Sequence, residues 1–204
     1  MRKKELVDIV FLLDRSGSMA GIEEDTIGGY NSYLEKEKGK NVRVTTVLFD
    51  DQYEVLNNMV SIDEVKNLTK NEYYVRGCTA LYDAIGKTIS IMDQKKAKKV
   101  IFVITTDGLE NASKEYKKEQ VKKLIENHSN WEFMYIGANI ESYAEGTSIG
   151  IQNKNISNYR KDKKGVSKLF EAMGTATRMY YENEKISENW KDELEDYVNK
   201  SIEK

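Results

Sequence analysis

Two apolar runs place the strongest constraint on how this chain folds. Residues 7–13 and residues 100–104 are both almost entirely apolar, with no regular alternation of apolar and polar side chains. Strands of this kind are buried on both faces, which is typical of a parallel sheet covered by helices on each side. We therefore expect both runs to be central strands of an α/β sheet.

Helical patterns alternate with further strand patterns along the chain. Residues 42–49 and 52–56 are separated by only two residues, which predicts a hairpin and hence an antiparallel edge strand. Additional strands are expected at 131–136 and 156–159, and helices at 20–38, 81–92, 121–125 and 166–181. This order predicts a doubly wound, Rossmann-like and mostly parallel sheet with one antiparallel edge strand and helices on both faces.

A pair of glycines interrupts the first predicted helix. Gly28 and Gly29 stand in its middle, where each glycine costs about 1 kcal/mol relative to alanine. We expect close packing of this helix on the sheet to explain the pair.

Length and composition predict one domain followed by a short helix. The chain has 204 residues, 39% of them hydrophobic, which suffices for one core, and we assign residues 1–185 to it. Residues 186–204 carry apolar side chains at helical spacing, which predicts an amphipathic helix packed on that domain or extending it. These side chains are Trp190, Leu194, Tyr197, Val198 and Ile202.

Charge and hydropathy exclude several classes of partner. A formal net charge of -2 argues against a nucleic-acid-binding protein. Acidic residues surround the lysine-rich runs 95–99 and 161–164, so we interpret both runs as solvated faces. The first apolar run is too short to span a bilayer or to act as a signal sequence, which predicts no membrane association. With one cysteine and hence no internal disulfide, the expected location is cytoplasmic.

Oxygen-bearing side chains follow the first apolar run directly. Asp14, Ser16 and Ser18 occupy alternate positions where the predicted strand ends and a turn begins. Ligands and ions bind at the carboxyl ends of strands in open α/β sheets. Since a carboxylate and two hydroxyls are hard oxygen donors, the three residues predict a site for a hard cation such as Mg²⁺.

Two further residues are expected at the same edge of the sheet. Asp107 follows the second apolar run as Asp14 follows the first. Thr79 stands at the amino end of the helix predicted to begin near Leu81. If the two apolar strands are neighbours, a right-handed connection between them brings Thr79 to this edge as well.

This arrangement resembles the metal-ion-dependent adhesion site of von Willebrand factor A-type (vWA) domains. The order, approximate spacing and strand context of Asp14-x-Ser16-x-Ser18, Thr79 and Asp107 agree with that site. The similarity spans about residues 7–181. The stretches 25–31, 48–51 and 106–113 are similar to those of stand-alone bacterial and phage members of the family.

The resemblance implies a role for each of the five residues. Ser16 and Ser18 would bind the ion directly through their hydroxyls, and Thr79 would bind it directly or through water. Asp14 and Asp107 would act through water. The ion would be Mg²⁺, or alternatively Mn²⁺ or Ca²⁺. Because few carboxylates would touch the ion, it would stay under-neutralised and recruit an Asp or Glu side chain of a protein partner. The expected contact surface consists of the loops that carry Met19, Cys78 and Leu109.

Each of the five residues also has a simpler interpretation. Asp14 and Asp107 are of a type that commonly starts turns at strand ends. Ser16, Ser18 and Thr79 are of types that commonly cap helices. A degenerate site without a metal is therefore the alternative to the metal centre.

Four residues outside this set have less specific interpretations. Glu110 and Asn111 either line the edge of the sheet or belong to a solvated loop. Cys78 is expected to be packed, since a thiol is a poor ligand for Mg²⁺. His128, the only histidine, is expected at the surface or the edge of the core rather than as a catalytic base.

The function expected from these features is that of a divalent-cation-dependent protein-binding module, not an enzyme. Bacterial members of the family often work beside AAA-type ATPases, which implies a subunit of a larger bacterial or phage complex. The alternative is a Mg²⁺-dependent phosphohydrolase that uses Asp14. Against it, Ser16 stands where haloacid-dehalogenase-type phosphatases have a second carboxylate. A serine hydrolase is disfavoured because the chain has no Gly-x-Ser-x-Gly motif.

Overall fold

One mixed sheet forms the centre of the fold. A computed structural model describes residues 5–138, 141–183 and 185–200. The strands are β1 (Val7–Asp14), β2 (Val42–Phe49), β3 (Tyr53–Ser61), β4 (Val100–Thr106), β5 (Glu132–Gly137) and β6 (Ile156–Asn158). They lie in the order β3-β2-β1-β4-β5-β6, and neighbours are parallel except β2 and β3. The predicted doubly wound sheet with one antiparallel edge strand is confirmed.

Helices cover both faces of this sheet. They are α1 (Glu23–Glu37), α2 (Leu81–Gln94), α3 (Lys118–Asn127), α4 (Ser142–Ser148), α5 (Lys163–Asn183) and α6 (Asp192–Asn199). The cores place α1, α5 and α6 on one face and α2 and α3 on the other. Helix α4 was not predicted because its seven residues contain no apolar stripe. Within the described ranges, no helix has the length and apolarity that crossing a bilayer requires.

Strand β1 contributes to both cores, which explains its apolar sequence. Ile9 and Phe11 belong to the core under α1 and α5, whereas Val10 and Leu12 belong to the core under α2 and α3. The ring of Phe11 packs edge-on against Tyr30 of α1, with centroids 5.3 Å apart. Because successive side chains of a strand point to opposite faces, a strand buried on both sides has no polar face.

The C-terminal segment packs against α5 and β6. Trp190 and Leu194 are buried in the same core as α1 and α5. The indole N–H of Trp190 donates to the carbonyl of Lys154 over 2.9 Å, which ties the segment to the turn before β6. The amphipathic helix is present as α6, although the predicted apolar position Ile202 lies outside the described residues. The domain boundary at residue 185 stays a prediction.

The glycine pair of α1 allows a close approach between two helices. A Cβ on Gly29 would lie 2.3 Å from Cδ2 of Phe170 in α5. A Cβ on Gly28 would have no neighbour within 4 Å. The expected helix–sheet packing is therefore wrong for this pair. Gly29 is needed between α1 and α5, and nothing in the structure explains Gly28.

Alanine substitutions of the two glycines should have opposite effects on stability. Gly29→Ala forces the Phe170 ring to move and should lower the free energy of unfolding by about 1–3 kcal/mol, as overpacked cores do. Gly28→Ala should raise it by up to about 1 kcal/mol, because alanine favours the helix. Urea unfolding of both variants measures the difference. Equal effects would contradict the tight contact between α1 and α5.

Candidate metal centre

The predicted residues meet at the carboxyl edge of β1 and β4. These strands are neighbours, so Asp14 at the end of β1 lies beside Asp107, which directly follows β4. Ser18 lies in the 3₁₀ turn after β1, Ser16 directly precedes that turn, and Thr79 lies in the loop before α2. We call these five residues the candidate centre.

Hydrogen bonds connect four of the five side chains into one network. Asp14 accepts the Ser16 backbone N–H at Oδ1 over 2.7 Å and the Thr106 hydroxyl at Oδ2 over 2.6 Å. The hydroxyl oxygens of Ser16 and Ser18 are 3.1 Å apart. Ser18 donates to Oδ1 of Asp107 over 2.5 Å. The turn after β1 is thereby bound to the end of β4.

The hydroxyls of the candidate centre surround a space next to Gly108. A Cβ on this glycine would lie 2.9 Å from Oγ1 of Thr79, 3.2 Å from Oγ of Ser18 and 3.8 Å from Oγ of Ser16. Three hydroxyl oxygens therefore face one small volume that only glycine leaves open. A set of oxygen donors around a space of this size fits a small, hard cation.

The electrostatics of Asp14 favour a nearby positive charge. Its side chain is fully buried, and burial raises its pKa from 3.8 to about 6. The hydrogen bonds from Thr106 and Ser16 act in the opposite direction, and the negative charge of Asp107 adds to the increase in this pKa. Across the described parts of the chain, no group of three or more His, Cys, Asp or Glu side chains could hold a metal. The candidate centre differs from such clusters because hydroxyls supply most of its oxygens.

Thr79 is positioned by the loop that follows Asp107. The Thr79 backbone N–H donates to Oδ1 of Asn111 over 2.9 Å. Its carbonyl accepts the backbone N–H groups of Asn111 and Ala112 over 3.0 and 3.2 Å. The N-cap of α2 is Ala80, without a side-chain capping bond, so the interpretation of Thr79 as a helix cap is wrong. Ser16, at the N-cap of the 3₁₀ turn, makes no side-chain capping bond either.

Carboxylates hold the loop after β4 against α2. Glu110 accepts the backbone N–H groups of Ser113 and Tyr82 over 2.7 and 3.0 Å. Asp83 accepts three consecutive backbone N–H groups, from residues 114, 115 and 116, over 2.8–2.9 Å. Although burial acts to raise the pKa of Asp83, these three donors keep it below its usual value. Glu110 and Asn111 thus lie at the edge of the sheet and support the loops of the centre through these hydrogen bonds, although Asn111 is exposed, and no local pattern indicates the role of Asp83.

A buried ion network joins the loop of Thr79 to the loop of the serines. Arg15 Nε and Arg76 Nε both donate to Oδ2 of Asp50, over 2.9 and 2.7 Å. The backbone N–H of Arg76 donates to the carbonyl of Arg15 over 2.9 Å, and that of Gly17 to the carbonyl of Gly77 over 3.1 Å. Burial acts to raise the pKa of Asp50, but the two guanidiniums hold it below its usual value. No local pattern in the sequence indicates this network.

Of the three residues expected at the outer surface of the candidate centre or beside it, two differ from expectation. Cys78 is exposed rather than packed, because the chain turns at Gly77 (φ +65°) and directs the next buried side chain, Thr79, inward. Met19 is buried, with its sulfur 3.8 Å from the Tyr159 hydroxyl, so its side chain adds nothing to the outer surface. Leu109 is 45% exposed, as a contact residue requires.

His128 is partly buried at the edge of the core, where the sequence places it. It follows α3 at the amino end of β5, on the edge of the sheet opposite the candidate centre. Its Nδ1 is 2.6 Å from the Leu124 carbonyl and its Nε2 is 2.8 Å from Asp93.

The lysine-rich run 161–164 is not uniformly solvated. Nζ of Lys161 is 3.0 Å from Oδ2 of Asp107 and also donates to the backbone carbonyl of Ser18. The interpretation of this run as a solvated face is wrong for Lys161, because its ammonium reaches the edge of the candidate centre.

A family match identifies the type of domain. Residues 1–130 match the family described as VWA domain containing CoxE-like protein, which is more than half of the 204 residues. The chain belongs to this family. The vWA resemblance drawn from Asp14, Ser16, Ser18, Thr79 and Asp107 is therefore confirmed at the level of the family. No curated protein sequence matches this vWA chain.

Solved structures share the fold of this vWA protein at low sequence identity. Proximal thread matrix protein 1 (PTMP1) from the mussel byssus has a TM-score of 0.62 at 16% identity over 84% of this chain and 46% of its own. The PilB minor pilin from Streptococcus sanguinis has a TM-score of 0.66 at 12% identity over 89% and 63%. A von Willebrand factor type A protein from Catenulispora acidiphila has a TM-score of 0.58 at 13% identity over 85% and 43%. This vWA chain spans less than two thirds of each of these neighbours.

Substitution of Asp50 should test the ion network. Asp50→Asn leaves the buried guanidinium of Arg15 without its buried charged partner, which should lower the free energy of unfolding by about 3 kcal/mol. The matched control is Glu54→Gln, which removes a carboxylate 2.8 Å from the same guanidinium but 48% exposed. Glu54→Gln should lower the free energy of unfolding by less than about 1 kcal/mol. Urea unfolding compares the two, and a similar loss in both would contradict the role assigned to Asp50.

Proposed function

We propose that this vWA protein binds a divalent cation at the candidate centre and uses the ion to hold a protein partner. The convergence of the Thr79, Ser18 and Ser16 hydroxyls on the space beside Gly108 carries the proposal. Two carboxylates lie behind these hydroxyls, and one of them, Asp14, is fully buried. A cation in this space would meet oxygen donors on one side and the partner on the other.

The hydrogen bonds indicate how the five residues would share the ion. Both carboxylate oxygens of Asp14 already accept hydrogen bonds, which favours contact with the ion through water. Ser16 and Ser18 would bind directly, Thr79 directly or through water, and Asp107 through water. Mg²⁺ is the first candidate, since it retains waters and accepts hydroxyl oxygens, with Mn²⁺ and Ca²⁺ as alternatives. A PTMP1 structure with a zinc-occupied MIDAS motif supports a cation at this place in the fold.

The proposed partner offers an Asp or Glu side chain to the ion. A divalent ion held mainly by neutral hydroxyls keeps much of its charge, so a carboxylate is its favoured further ligand. Exposed apolar and aromatic surface is available nearby, since Leu109 and Tyr74 are each 45% exposed. We assign the protein to the cytoplasm, as a subunit of a larger bacterial or phage complex, with neither nucleic acid nor membrane as its partner.

The environment of Asp14 supports binding rather than phosphoryl transfer. A nucleophilic aspartate must present a carboxylate oxygen to its substrate. The Asp14 side chain is fully buried, and its oxygens are engaged by Ser16 and Thr106. The residue at the second position after it is Ser16, which supplies no carboxylate for a general acid. We therefore propose that the protein is not an enzyme.

Metal binding is tested with the purified protein after EDTA treatment. Titration calorimetry with Mg²⁺ and Mn²⁺ up to millimolar concentration should give binding heat, and the same metals should raise the melting temperature. An ion at about 100 times its dissociation constant adds roughly 2.7 kcal/mol to the stability of the folded state. Ser18→Ala should weaken binding at least about tenfold, as the loss of one ligand in a small donor set does.

The matched control is Ser90→Ala. Ser90 is exposed on α2, so this variant makes the same chemical change away from the candidate centre. It should bind metal as the parent does. Absence of heat and of a melting shift in the parent, or equal affinity in the Ser18 and Ser90 variants, would contradict a cation at this site.

Partner binding should depend on the ion and on Thr79 through one interaction. A partner captured from the native host should be lost with EDTA and with Thr79→Ala. The variant should stay folded, because it removes one hydroxyl worth about 1 kcal/mol. Since both changes act on the same contact, combining them should add no further loss. Capture that persists under both conditions would place the docking surface elsewhere on the domain.

A further inference from the structure

Lys161 brings a positive charge to the edge of the candidate centre. It lies between β6 and α5, and its Nζ is 3.0 Å from Oδ2 of Asp107. The same ammonium donates to the backbone carbonyl of Ser18. Its side chain is 35% exposed and that of Asp107 only 5%, so the ion pair lies at a partly desolvated edge. Lys161 therefore contacts two of the five residues that form the centre.

The loop that carries Lys161 is held on both sides. The backbone N–H of Tyr159 donates to the carbonyl of Gly137 at the end of β5, over 2.9 Å. On the other side, Oδ1 of Asp162 accepts the backbone N–H of Gly165 over 2.7 Å. A Cβ on Gly165 would lie 2.0 Å from the Arg160 carbonyl, which shows how closely the chain folds back. Lys161 is thus presented to the centre by an ordered turn rather than by a free surface segment.

The ammonium and a divalent ion would draw on the same carboxylate. Asp107 receives the Ser18 hydroxyl at Oδ1 and Lys161 at Oδ2. With Lys161 in place, the formal charge of Asp14, Asp107 and Lys161 together is −1, whereas the two carboxylates alone would carry −2. A cation entering beside Ser18 would be attracted less strongly and would meet repulsion from the ammonium.

We propose that Lys161 sets the cation affinity of the centre by acting as an internal competitor for Asp107. The inference rests on the proposed function, because it concerns the same site. Without metal, Lys161 balances part of the negative charge and stabilises the turn after β1. When a divalent ion binds, the contact between Lys161 and Asp107 is weakened. The loss of this contact makes the free energy of metal binding less favourable. The competition makes metal binding weak when no partner is bound. A partner carboxylate is therefore needed for the ion to bind tightly.

The test compares Lys161→Gln with Lys163→Gln. Lys163 belongs to the same run and is exposed, so the two variants change the net charge equally. Calorimetric titration with Mg²⁺ and Mn²⁺ after EDTA treatment should show roughly tenfold tighter binding for Lys161→Gln, the size expected for removing one nearby charge at a partly solvated edge. Lys163→Gln should stay within about twofold of the parent, because solvent screens an exposed charge.

Two further readouts separate competition from a merely structural role. Lys161→Arg keeps the charge and should restore the parent affinity. In the absence of metal, Lys161→Gln should melt at a lower temperature than Lys163→Gln, and saturating metal should close this gap. If the parent binds metal and Lys161→Gln binds it equally or more weakly, the proposed competition is wrong but the metal centre stands. A parent and a Lys161→Gln variant that both bind no metal overturn the centre and the competition together.

Discussion

The parallel pairing of β1 with β4 is the contact on which the candidate centre depends. Leu13 is paired with Thr105, so the residues that follow each strand emerge side by side at one edge of the sheet. This register brings Asp14 next to Thr106 and within reach of the loop that carries Asp107. The pairing itself is stable because β1 is buried on both faces, between two separate cores. Formation of the centre therefore requires the complete layered fold, and the isolated motif would not assemble it.

Features that are encoded locally were predictable from the sequence. The apolar runs at β1 and β4 and the short connection after Phe49 determine the strands and the antiparallel edge, since each depends on neighbouring residues only. The spacing of Asp14, Ser16 and Ser18 follows the alternation at a strand end, so it could be interpreted without a structure. The ligand roles of these residues stay a prediction.

The supports of the centre could not be predicted because they join distant parts of the chain. Asn111 reaches Thr79 across 32 residues, Asp50 reaches Arg15 across 35, and Lys161 reaches Ser18 across 143. No local pattern distinguishes such an asparagine, aspartate or lysine from a solvated one, and the acidic residues around the run 161–164 indicated a solvated face. The sequence offers two weaker signals. One is an aspartate directly after a buried strand, as at Asp50, and the other is the polar pair Glu110 and Asn111 shortly after Asp107.

Strand alternation also separates the charges around the centre, and this separation favours the proposed binding of an external ion. Arg15 stands between Asp14 and Ser16 in the sequence, yet its guanidinium pairs with Asp50 and Glu54 instead. Had that arginine pointed to the same side as Asp14, its charge would neutralise the carboxylates permanently. Because it points away, burial and the charge of Asp107 raise the pKa of Asp14 to about 6 without an opposing guanidinium, which is a cost to the folded protein without metal. In the proposed competition, Lys161 offsets part of the negative charge from a position that is one-third exposed and would yield to a stronger cation. The fold thus holds Arg15 at Asp50 for architecture, and the proposal assigns a displaceable cation, Lys161, to Asp107.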